Sequence, residues 1–142
     1  MPTTLYHFTT ARAWDSILKD GYLEPSWDYG GTVPAIVHTT ESSEASSLPL
    51  GHESGRPIRF ELLIPEGEAH HWHAWGKAKG LPPEAYRALG IPVWTPDDRE
   101  YLTDTNRDSL HWYVVERRIA SAEWVQVTDT ESGAVLWPLP QD

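Results

Sequence analysis

The chain has 142 residues, with 21 acidic against 11 basic side chains and a formal net charge of -10 at pH 7. This is the length of one domain, so we expect residues 1–142 to form a single domain with an ordinary core. The negative charge disfavours non-specific binding to a nucleic-acid backbone, and the absence of cysteine excludes disulfides and thiolate catalysis. No apolar run approaches the ~20 residues that cross a bilayer, and no secretory signal is visible. The sequence therefore predicts a cytoplasmic protein without a membrane partner.

The first predicted element is a short strand over residues 5–10 that carries a histidine. Alternation places His7 on the same strand face as Leu5, and that face offers little that could pair an imidazole in a dry core. His7 is therefore expected to have a hydrogen-bond partner from elsewhere in the chain, or a ligand.

A helix is predicted to follow over residues 11–20. Thr9 or Thr10 is expected to cap its N-terminus, and Gly21 to end it in the left-handed conformation. Its apolar residues recur at the spacing of one helix face, which predicts a buried stripe formed by Trp14, Ile17 and Leu18.

The middle of the chain is expected to contain three extended segments and one short helix. The third extended segment alternates most clearly, with Ile58 and Phe60 inward and Arg59 and Glu61 on the opposite face. Hydroxyl and carboxylate side chains favour a capped helix over residues 41–46. The predicted extended segments are residues 22–25, 33–40 and 57–65, with loops over residues 26–32 and 48–55.

The remainder is expected to hold two helices, an irregular stretch and three strands. Strands and helices do not alternate regularly along the chain, which disfavours a doubly wound parallel sheet. We therefore expect an α+β domain with a split or bent mixed β-sheet and short helices. The predicted elements are helices over residues 68–79 and 82–90, an irregular stretch over 91–108, and strands over 110–118, 123–128 and 134–137.

A group of histidines lies within the first of these helices. His70 and His73 would lie one turn apart and could share a metal ion. Zinc needs a third and usually a fourth ligand, so a solvated helix face is the favoured interpretation and no metal is expected. Trp72 and Trp75, three residues apart, are expected to form the buried stripe of the helix.

Several segments, taken in order, carry a resemblance to a known family. They are Tyr6–Thr9, Ile17–Leu23, Val37–Thr40, Ile58–Leu62, Trp112–Val115 and Trp124–Val127. In this order they resemble the ADP-ribosyltransferase-like fold, and especially its small nucleic-acid-directed members such as DarT-type toxins and tRNA 2'-phosphotransferases. The resemblance covers nearly the whole chain in element order, and its motifs are short.

The resemblance implies that NAD binds as a substrate in a cleft between two sheets. ADP-ribose would pass to a protein, nucleoside or nucleic-acid acceptor, or NAD would be hydrolysed. His7 matches the first-strand residue that holds NAD, Thr9 the hydroxyl two residues later, and Thr39 the second-strand position. Arg59 and Tyr22 are further predicted NAD contacts.

The charge-stabilising glutamate of the family would fall near Trp112, where this chain has no carboxylate. The nearest one on the same strand face is Glu116, and Glu61 beside Arg59 is a second candidate. A surface ion pair with Arg117 or its neighbour is the alternative for Glu116. Two functions follow: an NAD-dependent enzyme with His7 and either carboxylate as catalytic residues, or a catalytically degenerate nucleotide- or partner-binding module on the same fold.

Overall fold

The computed structural model describes residues 2–25, 35–44, 55–80 and 111–138. Within them the chain forms nine strands, two α-helices and one 3-10 turn over Ser121–Glu123. In chain order the elements are β1 (Thr3–Thr9), α1 (Ala11–Asp20), β2 (Tyr22–Leu23), β3 (Val37–Thr40), β4 (Ile58–Ile64), β5 (His70–His71), α2 (Trp72–Lys79), β6 (Trp112–Val115), β7 (Ile119–Ala120), β8 (Trp124–Asp129) and β9 (Val135–Trp137).

Seven of these strands form one sheet in the order β5-β6-β3-β1-β4-β8-β9, and β2 pairs with β7 in a second, two-stranded sheet. The expected α+β architecture is confirmed. The expected mixed sheet is not found, because every ladder between the described strands is antiparallel. A parallel neighbour of β1 would need a crossover back into the main sheet, whereas α1 leads into β2, which pairs outside that sheet.

One face of the main sheet, which we call the core face, packs against α1. Thr10 caps the helix by accepting a hydrogen bond from the Ala13 N–H, and Gly21 ends it with φ 81°, as predicted. The Trp14 ring lies 5.6 Å from the ring of Phe60, centroid to centroid. The strands supply most of the buried apolar side chains of this face, which include Leu5, Val37, Ile58, Phe60, Leu62, Ile64, Val115 and Val127.

The opposite face, which we call the aromatic face, packs against α2. The Trp112 ring lies 5.7 Å from Trp72 and 5.1 Å from His38, centroid to centroid. Trp72 and Trp75 are both buried, as predicted. The two helices therefore cover opposite faces of the same sheet, α1 over its β1-β4-β8 half and α2 over its β6 edge.

The boundaries of several elements differ from those predicted. The helix expected over residues 68–79 begins four residues later, because His70 and His71 pair with Val114 and Tyr113 as the edge strand β5. The strand expected over 110–118 ends at Val115 and is followed by a bend before β7. Pairing between strands that are distant in the chain sets both boundaries. The hydrophobic periodicity of one segment does not reveal such pairing.

The helix predicted over residues 41–46 is wrong in its described part, residues 41–44, which form bends. The Ser42 N–H donates to the Thr40 hydroxyl and the Glu44 N–H to the Ser42 hydroxyl. These hydroxyl groups could have capped a helix, but here they accept hydrogen bonds from backbone N–H groups of turns. The loop predicted over 26–32, the helix over 82–90 and the irregular stretch over 91–108 lie outside the described residues. Neither α1 nor α2 has the length and apolar character needed to cross a membrane.

Candidate functional site

A line of polar side chains crosses four neighbouring strands on the core face. One residue along from the Tyr6–Thr40 pair, the antiparallel register sets His7 opposite Thr39. Thr39 lies opposite Tyr113, and the edge strand β5 continues the same line. Residues that lie opposite each other in a ladder point to the same side of the sheet. We call the four residues the polar row: His7, Thr39, Tyr113 and His71.

His7 is held in one orientation by the backbone of β3. Its Nδ1 lies 2.8 Å from the carbonyl oxygen of His38, and its ring meets that of Phe60 edge-on at 6.1 Å. Burial lowers the pKa of His7 and the positive charge of Arg56 adds to this, while the bond to His38 acts in the opposite direction. The ring is therefore neutral at pH 7. Because a carbonyl only accepts, the proton is on Nδ1, and Nε2 carries a lone pair.

The next two members of the row are tied to each other. The Thr39 hydroxyl, in a residue that is 1% exposed, donates to the backbone carbonyl oxygen of Tyr113 at 3.0 Å. Burial raises the pKa of Tyr113, and the negative charge of Glu41 raises it further. The phenol therefore keeps its proton at neutral pH and can donate it in a hydrogen bond. The ring of His71 lies edge-on to the phenol ring at 5.4 Å.

A carboxylate that the sequence analysis missed lies beside this row. Glu41 follows Thr39 by two residues, and its charge acts on Tyr113. Its N–H donates to the His111 carbonyl oxygen at 2.9 Å, and its Oε1 accepts from Nδ1 of the His111 ring at 2.7 Å. Two-residue spacing on a strand could have revealed Glu41, but the local composition favoured a helix at this point.

The predicted NAD contacts fall into three places. Thr9 shares the core face with His7 and is 8% exposed. Arg59 and Glu61 lie on the aromatic face, since they pair with Phe8 and Tyr6 rather than with residues of the row. The Arg59 guanidinium carbon lies 5.9 Å from the centre of the Tyr6 ring.

Tyr22 lies outside the main sheet, in β2, where the guanidinium carbon of Arg118 stands 4.3 Å from the centre of its ring. Of the predicted NAD contacts, the structure therefore brings Thr9 and Thr39 to the face of His7. It does not bring Arg59 or Tyr22 there.

Glu116 lies on the side of the sheet that α2 covers, away from His7. Its Oε1 accepts from the indole Nε1–H of Trp75 and lies 3.4 Å from the Lys79 ammonium. The hydrogen bond from Trp75 holds the pKa of Glu116 below its usual range, and Lys79 contributes in the same direction. The neighbouring arginines pair elsewhere, Arg117 with Glu123 and Glu68, and Arg118 with Glu24. The structure thus does not join Glu116 to His7, and the catalytic roles of Glu116 and Glu61 stay predictions.

The histidines near residue 70 do not share a helix face. His70 and His71 lie on β5 and His73 on α2, so the expected one-turn spacing of His70 and His73 is wrong. The ladder with β6 draws the first two histidines into the sheet. In the described segments, no three carboxylate or imidazole side chains are grouped so as to hold a metal ion.

The core face thus brings an imidazole acceptor, a buried hydroxyl and a phenol donor into one line, and the exposed Glu41 carboxylate is near enough for its charge to act on the phenol. Such a set can hold a sugar and an amide through hydrogen bonds, because backbone carbonyls orient His7 and Thr39 before a ligand arrives. A carboxylate beside the ligand also stabilises positive charge that develops on it during a reaction.

Comparison with known proteins assigns no family to this arrangement. No family model, no curated protein and no solved structure matches the chain. The candidate site is therefore defined by its residues, their register and their contacts.

Proposed function

We propose that this protein binds NAD along the polar row and cleaves the bond between nicotinamide and ribose, as an ADP-ribosyltransferase-like enzyme. ADP-ribose would pass to a protein, nucleoside or nucleic-acid acceptor, or to water. One observation carries the proposal: His7, Thr39 and Tyr113 lie in one line on one face, with the Glu41 carboxylate beside them. The resemblance of the N-terminal residues to the ADP-ribosyltransferase-like family agrees with it.

Each group has a role that its contacts support. His7 Nε2 accepts a hydrogen bond from a ribose hydroxyl or from the carboxamide, because Nδ1 already donates to His38. The Tyr113 phenol donates to the ligand. When the bond between ribose C1' and the ring nitrogen breaks, its electron pair leaves with nicotinamide and positive charge develops on the ribose. Glu41 stabilises that charge.

The test uses a variant that separates the structural bond of His7 from its ligand contact. In His7→Asn, the side-chain amide occupies the position of Nδ1 and can keep the bond to His38, while Nε2 is lost. We expect NAD-dependent nicotinamide release, followed by chromatography, to fall by about 100-fold. Thr128→Val, on the aromatic side of β8, is the control and leaves release unchanged. Unchanged release in a folded His7→Asn variant would contradict the role of His7.

A nucleotide-binding module without turnover is the second candidate, and one observation favours it. Both carboxylates predicted from the sequence, Glu61 and Glu116, lie away from the face of His7. Saturable NAD binding without nicotinamide release would support the module. Failure to bind NAD at millimolar concentration would contradict the enzyme and favour the module with a different ligand.

A further inference from the structure

A separate groove lies where α2 meets β5 and the end of β6. Its volume is about 470 Å³, within the range of about 300–1,000 Å³ usual for small-molecule sites. Ala69, Ala74 and Ala78 form its apolar lining together with the Trp75 ring, and His70 and His71 line its β5 side, where His71 is shared with the polar row. Ala74 and Ala78 stand one turn apart on α2, so their small side chains leave a strip of the helix surface open to a flat ligand.

The polar end of the groove holds a fixed acceptor beside a fixed donor. Glu116 and Lys79 line it, with side chains that are 29% and 37% exposed, so a ligand can reach both. Among the described residues, Trp75 and Lys79 both contact Oε1 of Glu116. The second carboxylate oxygen therefore remains to accept a hydrogen bond, and the ammonium has further N–H groups to donate.

We infer that this groove binds a nucleobase. A nucleobase is a flat ring with a donor and an acceptor side by side on one edge, which matches Glu116 beside Lys79 at the end of an alanine-lined groove. Proteins hold an unstacked base in this way, between apolar side chains and with hydrogen bonds to its edge. The inference concerns binding alone and does not rest on the proposed reaction of NAD.

The charges of the groove distinguish this ligand from simpler ones. An isolated lysine would favour a phosphate, and an isolated carboxylate would favour an amine. Here the two charges lie 3.4 Å apart and compensate each other. An uncharged ring that offers both a donor and an acceptor satisfies the pair without leaving either charge unpaired.

The experiment titrates adenosine and cytidine into the intact protein and follows the Trp75 indole N–H resonance by NMR. Both nucleosides carry an exocyclic amine beside a ring nitrogen, and we expect a saturable shift. N6,N6-dimethyladenosine keeps the ring and loses the amine donor, so we expect it to bind about five- to tenfold more weakly.

Matched variants locate the binding. Lys79→Met keeps the aliphatic stem and removes the donor, and should weaken adenosine binding about five- to tenfold. Lys77→Met removes the same charge from the same helix outside the groove and should leave binding unchanged. His7→Asn should also leave it unchanged, which separates this result from the fate of the NAD proposal. Absence of saturation with both nucleosides, equal binding of the dimethylated ring, or equal effects of the two lysine variants would overturn the inference.

Discussion

The polar row and the nucleobase groove meet at His71 on the edge strand β5, which belongs to both, and they are built in different ways. In the row, side chains are anchored to backbone, His7 to the His38 carbonyl and Thr39 to the Tyr113 carbonyl. In the groove, side chains are anchored to side chains, with Trp75 and Lys79 holding Glu116. Sheet register therefore sets the row, whereas the packing of α2 sets the groove.

The alternation of side chains along a strand explains why Glu116 does not lie in one site with His7, as the sequence had suggested. Trp112 and Glu116 are four residues apart and both turn to the aromatic side, as their contacts with α2 show. The residue that joins His7 and Thr39 on the core face is Tyr113, one position along. A shift of one residue on a strand moves a side chain to the other face.

The largest expected effect distinguishes the carboxylates of the two faces. Glu41→Gln should reduce nicotinamide release by about 100- to 1,000-fold, because it removes the negative charge beside the row. Glu61→Gln, on the other face, should change release less than about twofold. Single-turnover assays with the enzyme in excess over NAD measure both. The opposite order of effects would return the catalytic role to the aromatic face.

The pH dependence of folding tests the burial of His7. Its pKa is lowered in the folded state, so below the ordinary value of 6.5 the unfolded chain takes up the proton first. The contribution of the neutral His7 ring to the free energy of unfolding is complete above pH 6.5. It is lost as pH falls from there toward the folded pKa, by at most about 1.4 kcal/mol per pH unit. Urea unfolding between pH 5 and 8 should show a shallower slope for His7→Asn than for the wild type. Parallel slopes would mean that His7 is solvated.

Thr39→Val tests the backbone anchoring of the row. The change keeps the shape and removes the hydroxyl that donates to the Tyr113 carbonyl, so we expect a loss of about 1 kcal/mol in the free energy of unfolding. Thr128→Val, on the partly exposed side of β8, is the matched control and should lie within about 0.5 kcal/mol of the wild type. Chemical denaturation at pH 7 measures both, and equal effects would contradict a special role for the buried hydroxyl.

The smallest expected effect concerns the ion pair of the groove. The pKa of Glu116 is lowered in the folded state. The ionised carboxylate therefore stabilises the folded protein above the ordinary pKa of 4.5, and this stabilisation is lost as pH falls through the folded pKa. Because the side chain is 29% exposed, we expect less than about 1 kcal/mol. Glu116→Gln should therefore narrow the difference in unfolding free energy between pH 7 and pH 3. An unchanged difference would show that the pair contributes nothing to stability.

The sequence by itself determined the features that depend only on residues close together in the chain. The cap at Thr10 and the stop at Gly21 follow from neighbouring residues, as do the alternation of β4 and the burial of Trp72. The stripe predicted on α1 is buried at Trp14, while Ile17 and Leu18 are partly buried against the core. Capping and periodicity act within one or two turns or a few strand residues, so a single segment carries the whole signal.

Tertiary structure alone decided which polar groups meet. Thr39 and Tyr113 are 74 residues apart in the chain, and His7 and His38 are 31 apart. Their contacts depend on strand order and register, which the burial of apolar side chains on both faces selects and which no local pattern encodes. For the same reason the structure, and not the sequence, put Glu41 beside the row and Glu116 in a groove against α2.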